Sequence, residues 1–220
     1  MLAIIDYGMG NLRSVQKALE HVGVSACITS DPKAVLDADH VVLPGVGAIA
    51  EAMLELERHQ MIDAIHQVID KGTPFLGICL GFQLLFESSE ENGIHPGLGL
   101  LKGKVRLFQL PREYAVPHMG WNQLTWPTDA NGSKKISPLF QGLTEGTHVY
   151  FVHSYYAEAE DEAVVAAWTD YGGPFCAAVT QNNIYGTQFH PEKSQSAGLT
   201  ILKNFSQIQP AVTREHQEKQ

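Results

Sequence analysis

Residues 74–86 read PFLGICLGFQLLF, and this stretch decides the fold of the chain. The apolar run at 74–78 predicts a buried strand, and a helical pattern begins directly after Cys79. Gly77 and Gly81 flank Cys79 two residues away on each side, where side chains would collide with neighbouring backbone in a tight turn. The pattern is typical of a nucleophile elbow, a strand-to-helix turn that presents one reactive side chain.

Cys79 would be the nucleophile of such an elbow. A helix that starts near Leu80 would present unpaired backbone N–H groups and the positive end of its dipole to the thiol, which would favour the thiolate and offer a donor to a developing oxyanion. A lone Cys after an apolar run is more often a small core residue, because Cys is among the most buried residue types. The stretch alone leaves both interpretations open.

Strands and helices alternate through residue 91, which predicts a mostly parallel, doubly wound sheet. The Gly-rich turn Pro44-Gly45-Val46-Gly47 follows a predicted strand, at the end where open α/β sheets place ligand-binding backbone, although a connecting loop is the simpler interpretation. The predicted strands are 2–6, 24–29, 40–43 and 74–78, and the predicted helices are 12–22, 31–38, 48–58, 61–70 and 80 to about 91.

Beyond residue 92 the pattern changes to short strand-like segments separated by Gly, Pro and Asn turns, which predicts antiparallel hairpins added to the parallel core. Gln181-Asn182-Asn183 is a candidate hairpin turn, and the last helix is predicted over 196–208. No linker divides the chain, so residues 1–208 are expected to form one domain and the polar residues 209–220 a flexible tail. The strand-like segments are 105–108, 121–126, 148–156, 164–169, 175–180 and 184–189.

The composition limits the kinds of partner. The chain has 220 residues, 44% of them hydrophobic, and a net charge of −9, which argues against a nucleic-acid or anionic-membrane surface. No apolar run is long enough to span a bilayer and the N-terminus lacks the basic segment of a signal peptide, so a cytoplasmic protein is expected. Because the three cysteines and ten histidines are scattered, no disulfide, metal site or cofactor is expected. Core packing is predicted for Cys27 and Cys176.

His190-Pro191-Glu192 follows the last strand-like segment. Pro191 stops the strand and stiffens the turn, so the carboxylate of Glu192 can accept the Nδ1–H of His190 and fix the tautomer of the ring. Together with the thiol of Cys79, this gives the nucleophile, base and orienting group of a catalytic triad in the chain order Cys, His, Glu. A His after a strand is otherwise usually a surface residue, but the elbow and this tripeptide rarely occur together.

These two motifs resemble those of the class I, triad-type glutamine amidotransferases. The resemblance covers residues 1 to about 208 and implies a flavodoxin-like α/β fold with added antiparallel strands. Further stretches are similar to the glutaminase subunits of imidazole glycerol phosphate synthases, which hydrolyse glutamine and hand ammonia to a barrel-shaped cyclase subunit in a heterodimer of histidine biosynthesis. The stretches that carry the resemblance are GICLGFQ at 77–83, FHPEKS at 189–194, DYGMGNLRS at 6–14, PGVG at 44–47, MGWN at 119–122 and FVHSYY at 151–156.

The resemblance also implies roles for single residues. Cys79 would attack the carboxamide of glutamine as a thiolate, His190 would protonate the departing ammonia and then activate water, and Glu192 would orient His190. PGVG would aim its oxyanion donor properly only when the partner has bound its nucleotide substrate. The oxyanion donors would be the backbone N–H groups of Leu80 and of Val46 or Gly47, the substrate contacts Gln83, Glu91, Ser154 and Tyr155, and the partner contacts Asn11, Trp121 and Lys193.

Simpler roles exist for several of these residues. Glu91 could be a solvated charge at a helix end, Tyr155 an ordinary strand aromatic, Trp121 a core residue and Lys193 a surface lysine. Three other functions use the same residues: a glutaminase subunit of another amidotransferase, a γ-glutamyl peptidase on the same fold, and a non-catalytic regulatory or stress protein with a reactive thiol. The last is disfavoured because a redox-sensing thiol needs no carboxylate-oriented imidazole.

Overall fold

In a computed structural model, residues 1–129 and 131–210 are described, and these ranges contain thirteen strands and six α-helices. Residues 211–220 of the expected tail lie outside the described residues. The strands are β1 (Leu2–Ile5), β2 (Ala26–Thr29), β3 (His40–Gly45), β4 (Phe75–Cys79), β5 (Phe86–Ser89), β6 (His95–Pro96), β7 (Leu101–Leu107), β8 (His118–Gln123), β9 (His148–His153), β10 (Tyr155–Ala159), β11 (Val165–Asp170), β12 (Pro174–Gln181) and β13 (Ile184–Thr187). The helices are α1 (Leu12–His21), α2 (Pro32–Leu36), α3 (Ile49–Arg58), α4 (Met61–Asp70), α5 (Leu80–Gln83) and α6 (Gln195–Gln207).

Five parallel strands form one side of the large sheet, in the order β2, β1, β3, β4 and β13, with β2 at the edge. Helices α1 and α6 contribute to the core on one face of the sheet, and α2, α3 and α4 to the core on the other. Every residue of β1, β4 and β13 is buried as a result. The mostly parallel core, the covering helices and the strand order confirm the predicted doubly wound, flavodoxin-like arrangement.

Local signals explain where the first helices begin. The side chain of Asn11 accepts a hydrogen bond from the backbone N–H of Ser14 at 3.4 Å and caps α1. Asp31 caps α2 in the same way through Lys33, at 3.0 Å, and Pro32 occupies the first turn of that helix, where its missing N–H has no cost.

The second half of the chain extends the sheet beyond β13. Strand β12 pairs antiparallel with β13 through a hairpin in which Asn182 has φ 53°, which confirms the predicted turn. Strands β10, β7, β5 and β6 continue the sheet, and β11 pairs with β12. Strands β8 and β9 form a separate antiparallel pair. Antiparallel additions were expected, but β5 and β7 run parallel to each other.

The predicted helix from 80 to about 91 is wrong beyond Gln83. Helix α5 ends there, and β5 follows with Phe86 opposite Leu101 of β7. Leu84, Leu85 and Phe86 are all fully buried. A continuous apolar run does not distinguish a buried strand from a buried helix, which is why the sequence pattern failed here.

Two other sequence predictions need correction. The predicted strand at 148–156 is two strands in different sheets, since β9 pairs with β8, β10 pairs with β7 and β12, and Ser154 lies between them. Cys27 is exposed rather than in the core because β2 is an edge strand, whereas Cys176 is buried as predicted. Among the described helices, none is long and apolar enough to cross a bilayer.

Candidate active site

The predicted site residues follow the carboxyl ends of neighbouring parallel strands. Gly45, at the end of β3, pairs directly with Cys79, at the end of β4. Thr187, at the end of β13, pairs with Ile78, so the chain that continues to His190 leaves the sheet next to Cys79. The carboxyl edge of a parallel sheet is where ligands bind in open α/β folds. The sheet therefore brings the PGVG turn, the thiol and the imidazole to one edge.

Cys79 has the backbone of a nucleophile elbow. Its φ of 56° and ψ of −107° are unusual for a residue with a side chain, and such strain persists only where the surroundings enforce it. A Cβ on Gly77 would lie 2.5 Å from the carbonyl oxygen of Gly81, and a Cβ on Gly81 would lie 1.8 Å from the carbonyl oxygen of Leu43. Both glycines are required because backbone passes where their side chains would stand.

His190 and Glu192 form a buried pair beside the elbow. The Nδ1–H of His190 donates to Oε1 of Glu192 at 2.8 Å, and the two side chains are 3% and 2% exposed. The main chain of His190 is fixed as well, because its N–H donates to the carbonyl oxygen of Tyr150 and its own carbonyl accepts from the hydroxyl of Ser194. The ring is therefore held in one tautomer and one position, and its Nε2 is available to donate or accept a proton.

The electrostatics of His190 favour the imidazolium. Burial by itself lowers the pKa of His190, but Cys79 and Glu192 more than offset that effect and raise the pKa to about 10. Cys79 raises the pKa of His190 first as the group that faces its ring nitrogen for a hydrogen bond and then through its charge, and Nε2 of His190 has no other hydrogen-bond partner among the described residues. A raised His pKa beside a thiol is the arrangement expected of a thiolate and imidazolium pair.

A cavity of about 370 Å³ opens over Cys79, and His190 lies in its wall. The predicted oxyanion residues Val46, Gly47 and Leu80 line this cavity, as do the predicted substrate contacts Gln83, Glu91, Ser154 and Tyr155. Glu192 does not line the cavity but lies behind His190. The fold thus brings together all ten residues that were assigned to catalysis, oxyanion binding and substrate binding, and their individual roles stay predictions.

The amide of Gln83 is engaged within the protein. Its Nε2 donates to the carbonyl oxygen of Tyr155 and to Oε1 of Gln188, both at 3.0 Å. The carbonyl oxygen of Tyr155 also accepts from Nδ1–H of His153 at 2.7 Å, so both of its lone pairs are occupied. Substrate recognition by this segment would therefore use other groups, such as the backbone N–H of Tyr155 or the hydroxyl of Ser154.

Glu91 is partly buried, and it belongs to no helix itself but caps the start of another. Its Oε2 accepts the backbone N–H of Ile49 at 2.9 Å, and Ile49 is the first residue of α3, just after the PGVG turn. A carboxylate at a helix N-terminus satisfies an unpaired N–H and is stabilised by the helix dipole. Glu91 therefore ties the far end of the turn to the cavity wall.

The turn between β1 and α1 packs beneath PGVG. A Cβ on Gly45 would lie 2.5 Å from the hydroxyl of Tyr7, and a Cβ on Gly47, whose φ is 102°, would lie 2.8 Å from the terminal methyl of Met9. The Tyr7 side chain is fully buried and its hydroxyl has no partner among the described residues. Burial, and then the charge of Cys79, raise the pKa of Tyr7 above its ordinary value.

The predicted partner contacts lie at the surface. Trp121 is 46% exposed, which excludes the core alternative, and its ring meets that of Tyr150 edge to face. Nζ of Lys193 lies 5.9 Å from the centre of the Tyr150 ring. Asn11 is exposed at the start of α1, a helix that contacts the turn at Pro191–Lys193. Contact with a partner stays a prediction for all three residues.

Sequence reasoning missed three buried polar residues near the site. Gln188 is fully buried, with Nε2 at 4.0 Å from the sulfur of Cys79. His118 and His153 are also buried, and they hydrogen bond to each other at 3.0 Å. The available signal was a polar residue inside an otherwise apolar segment, as in GTQFH at 186–190. In the described parts of the chain, no three His, Cys, Asp or Glu side chains are grouped to hold a metal ion.

Comparison with solved structures bears on the fold. A glutamine amidotransferase crystal structure superposes with a TM-score of 0.70 at 19% sequence identity, covering 93% of this chain and 98% of the other. PurLQS from Thermotoga maritima superposes with a TM-score of 0.69 at 18% identity, covering 93% and 96% of the two chains. At such low identity these likenesses show a shared fold and no more.

Sequence relatives are much closer. Imidazole glycerol phosphate synthase subunit HisH of Syntrophotalea carbinolica is 53% identical over 213 residues, covering 94% of this chain and 100% of the relative. The HisH subunits of Geobacter sulfurreducens and Aquifex aeolicus are 51% and 53% identical, covering 94% and 92% of this chain and 98% and 94% of their own lengths. The family glutamine amidotransferase class-I matches residues 3–208. The chain belongs to the class-I glutamine amidotransferases, among the HisH subunits.

Membership of the amidotransferase family indicates which reaction the cavity over Cys79 serves. This amidotransferase is an enzyme with glutaminase activity, as its family and its HisH relatives indicate. The cavity over Cys79 is then the place where a glutamine side chain would meet a thiol, a histidine and backbone donors. The resemblance seen in the sequence motifs is confirmed over nearly the whole chain.

Proposed function

We propose that this amidotransferase hydrolyses glutamine to glutamate and ammonia at Cys79, and that it supplies the ammonia to a cyclase subunit of imidazole glycerol phosphate synthase in histidine biosynthesis. The observation that carries the proposal is the strained elbow of Cys79 at the base of a cavity whose wall holds the buried His190–Glu192 pair. The cytoplasm is the proposed location.

In the first half of the reaction the thiolate of Cys79 attacks the carboxamide carbon of glutamine. Negative charge develops on the carboxamide oxygen, where the backbone N–H groups of Leu80 and of Val46 or Gly47 would stabilise it; each such donor contributes roughly 3 to 4 kcal/mol. Nε2–H of His190 then protonates the departing nitrogen, the C–N bond breaks, and ammonia leaves a thioester on the sulfur. The raised pKa of His190 supports this role because the ring holds the required proton.

In the second half His190 acts as a base. Its neutral Nε2 takes a proton from water, the resulting hydroxide attacks the thioester carbon, and glutamate leaves as the C–S bond breaks. The proton on Nδ1 of His190 stays on the ring through both halves, because Oε1 of Glu192 accepts it in a 2.8 Å hydrogen bond without taking it. Glu192 thus orients the ring and stabilises its positive charge.

A partner is supported by the surface next to the site. Met119 and Trp121 of β8 are 62% and 46% exposed and, two residues apart on one strand, lie on the same face, where they form an apolar patch. Trp121 contacts Tyr150, the residue whose carbonyl holds the main chain of His190. A cyclase seated on β8 would lie near the His190 side of the cavity, so that ammonia could pass to it without reaching bulk water. We propose that Trp121, Lys193 and Asn11 contact that subunit.

The test is glutamate release by the purified full chain, alone and with a cyclase subunit loaded with its ribonucleotide substrate. We expect a stimulation of about a hundredfold or more, or at least about 2.7 kcal/mol of barrier, if partner binding aligns the PGVG turn. Cys79→Ala should abolish release, whereas Cys27→Ser, at an exposed cysteine, should leave it unchanged. Full activity without the cyclase would favour a free-standing amidase such as a γ-glutamyl peptidase, and a folded but inactive protein in both conditions would contradict the proposal.

A further inference from the structure

A continuous row of hydrogen bonds runs from the small sheet to the sulfur of Cys79. Its central group is the backbone carbonyl of Tyr155, which can only accept hydrogen bonds. Every side chain that contacts this oxygen must therefore present a donor to it. That requirement determines which atom of each side chain donates and which accepts, both toward the thiol and toward the small sheet.

The first branch leads to the thiol. Because the carbonyl of Tyr155 accepts from Gln83, the atom of Gln83 that faces it is Nε2. The same NH₂ group faces the amide of Gln188, which must turn Oε1 toward it, at 3.0 Å. The NH₂ group of Gln188 is thereby directed to the sulfur of Cys79, with Nε2 4.0 Å away, a long contact for an N–H donor to sulfur.

The second branch leads away from the cavity. Nδ1 of His153 must carry the proton donated to Tyr155, at 2.7 Å, so its Nε2 is an acceptor. Nδ1–H of His118 donates to that Nε2 at 3.0 Å, and Nε2 of His118 in turn accepts from the Nδ2–H of Asn122 at 3.3 Å. The other hydrogen of this Asn122 group goes to the carbonyl oxygen of Asp170 at 2.8 Å. Both rings are thus fixed as neutral Nδ1–H tautomers.

We propose that Gln188 is a further catalytic residue, which donates an N–H to the sulfur of Cys79, and that three positioning residues support it. Gln83 prevents the Gln188 amide from turning over, while His153 and His118 hold in place the Tyr155 carbonyl that orients Gln83. The inference rests on the proposed role of Cys79 as the nucleophile. If the Gln188 amide turned over, its carbonyl oxygen would face the sulfur and repel a thiolate. The hydrogen bonds exclude that orientation, because the turned amide would place the NH₂ group of Gln188 against the NH₂ group of Gln83. An NH₂ group cannot accept a hydrogen bond.

The chemical effect is on the charged sulfur. Hydrogen bonds to an ionised acceptor are shorter and about twice as strong as those between neutral groups, so the 4.0 Å contact should tighten as the thiolate forms. His190 and Tyr7 are the titratable groups whose protonation senses the charge of Cys79. Gln188 differs from both because its donor does not titrate, and it supports the thiolate at any pH.

The first experiment replaces Gln188 with methionine, which has a similar length and no donor. We expect Gln188→Met to slow carbamidomethylation of Cys79 by iodoacetamide at pH 7 by tenfold or more, read at the Cys79 peptide by mass spectrometry, with exposed Cys27 as the internal reference. The kcat for glutamine should fall by a similar factor while KM changes by less than threefold, because Gln188 contacts the sulfur. The matched control is Gln181→Met, an exposed glutamine at the other end of the same hairpin.

The second experiment tests the positioning residues. Asn can place an amide N–H where the Nδ1–H of His stands, whereas Leu cannot. His118→Leu should therefore lower kcat and the Cys79 alkylation rate together by about fivefold, and His118→Asn should restore both to within twofold of the wild type. A purely structural role for His118 would instead lower the melting temperature in both variants without changing the alkylation rate of the folded protein.

The outcomes separate this inference from the proposed function. If Cys79→Ala keeps glutaminase activity, Cys79 is not the nucleophile and the proposed function fails. If Cys79→Ala is inactive while folded Gln188→Met alkylates and turns over like the wild type, the proposed function stands and the role of Gln188 is wrong. Slower alkylation in Gln188→Met, with Gln181→Met unchanged, supports the inference even if the chain is inactive without its partner.

Discussion

A side chain on Gly81 would collide with the backbone of Leu43, because its Cβ would lie 1.8 Å from the Leu43 carbonyl oxygen. Leu43 belongs to β3, and Gly81 lies two residues after the nucleophile. The close contact between their backbones therefore determines how near the elbow packs to β3. We predict that Gly81→Ala lowers the free energy of unfolding by about 3 kcal/mol, as forced overpacking of backbone does, and abolishes glutaminase activity. Urea denaturation and glutamate release measure the two effects.

Gly142→Ala is the control for Gly81→Ala. Gly142 has a φ of 81° and open space at its Cβ, so alanine there adds conformational strain of about 1 kcal/mol without a collision. Equal losses of stability in the two variants would contradict the collision argument.

Glu192 supports the imidazolium of His190 through its hydrogen bond and also through its charge. Glu192→Gln keeps an acceptor for Nδ1–H of His190 but removes the negative charge that helps to raise the pKa of the ring. We expect kcat to fall by roughly a hundredfold or more, in the range found for general acid–base groups, and the pKa of His190 to decrease in an NMR titration. Glu158→Gln, at an exposed carboxylate paired with Arg106, is the control and should change neither quantity. An unchanged His190 pKa would overturn the electrostatic assignment.

The buried histidine pair should make the protein sensitive to mild acid. Burial lowers the pKa of His118 to about 4 and that of His153 to about 3, whereas both rings titrate near 6.5 in the unfolded chain. The unfolded state therefore binds more protons below pH 6.5, so the free energy of unfolding falls as pH is lowered. His153 alone should account for about 2 kcal/mol between pH 7 and pH 5.

Denaturant titrations at these two pH values measure that loss. His190 partly opposes this loss, because its raised pKa keeps it protonated in the folded state at both pH values while its unfolded form gains a proton between pH 7 and pH 5. Stability due to His190 is instead lost as pH rises from about 6.5 through about 10. His153→Gln should lose about half of the acid sensitivity of the pair, because His118 contributes the other half, and the exposed control His21→Gln should keep all of it; equal sensitivity in both variants would show that His153 is not a source of it.

Removal of the Tyr7 hydroxyl should stabilise the protein. This group is fully buried without a partner among the described residues, and an unsatisfied buried donor costs about 1 to 3 kcal/mol. Tyr7→Phe should therefore raise the free energy of unfolding by about 1 kcal/mol, with glutaminase activity within twofold of the wild type. A loss of stability would show instead that the hydroxyl makes a favourable hydrogen bond. Tyr114→Phe, at a partly exposed tyrosine, should have no effect on stability.

The sequence predicted the elbow and the triad because their signals are local. Glycines two residues on each side of Cys79 and a proline between His190 and Glu192 report on backbone geometry that the neighbours themselves determine. Phe86 was assigned to a helix because its partner, Leu101, is fifteen residues away and an apolar run does not show which partner it has. Gln188 and the histidine pair were missed for the same reason, since their significance lies in long-range hydrogen bonds.

Ser154 is one residue of chain between two sheets, with β9 on one side and β10 on the other, and it also lines the cavity. A rotation of the small sheet against the large one would therefore move Ser154. One residue of the cavity wall therefore also connects the two sheets. A partner that displaced β8 would thereby shift the wall of the space in which glutamine would lie.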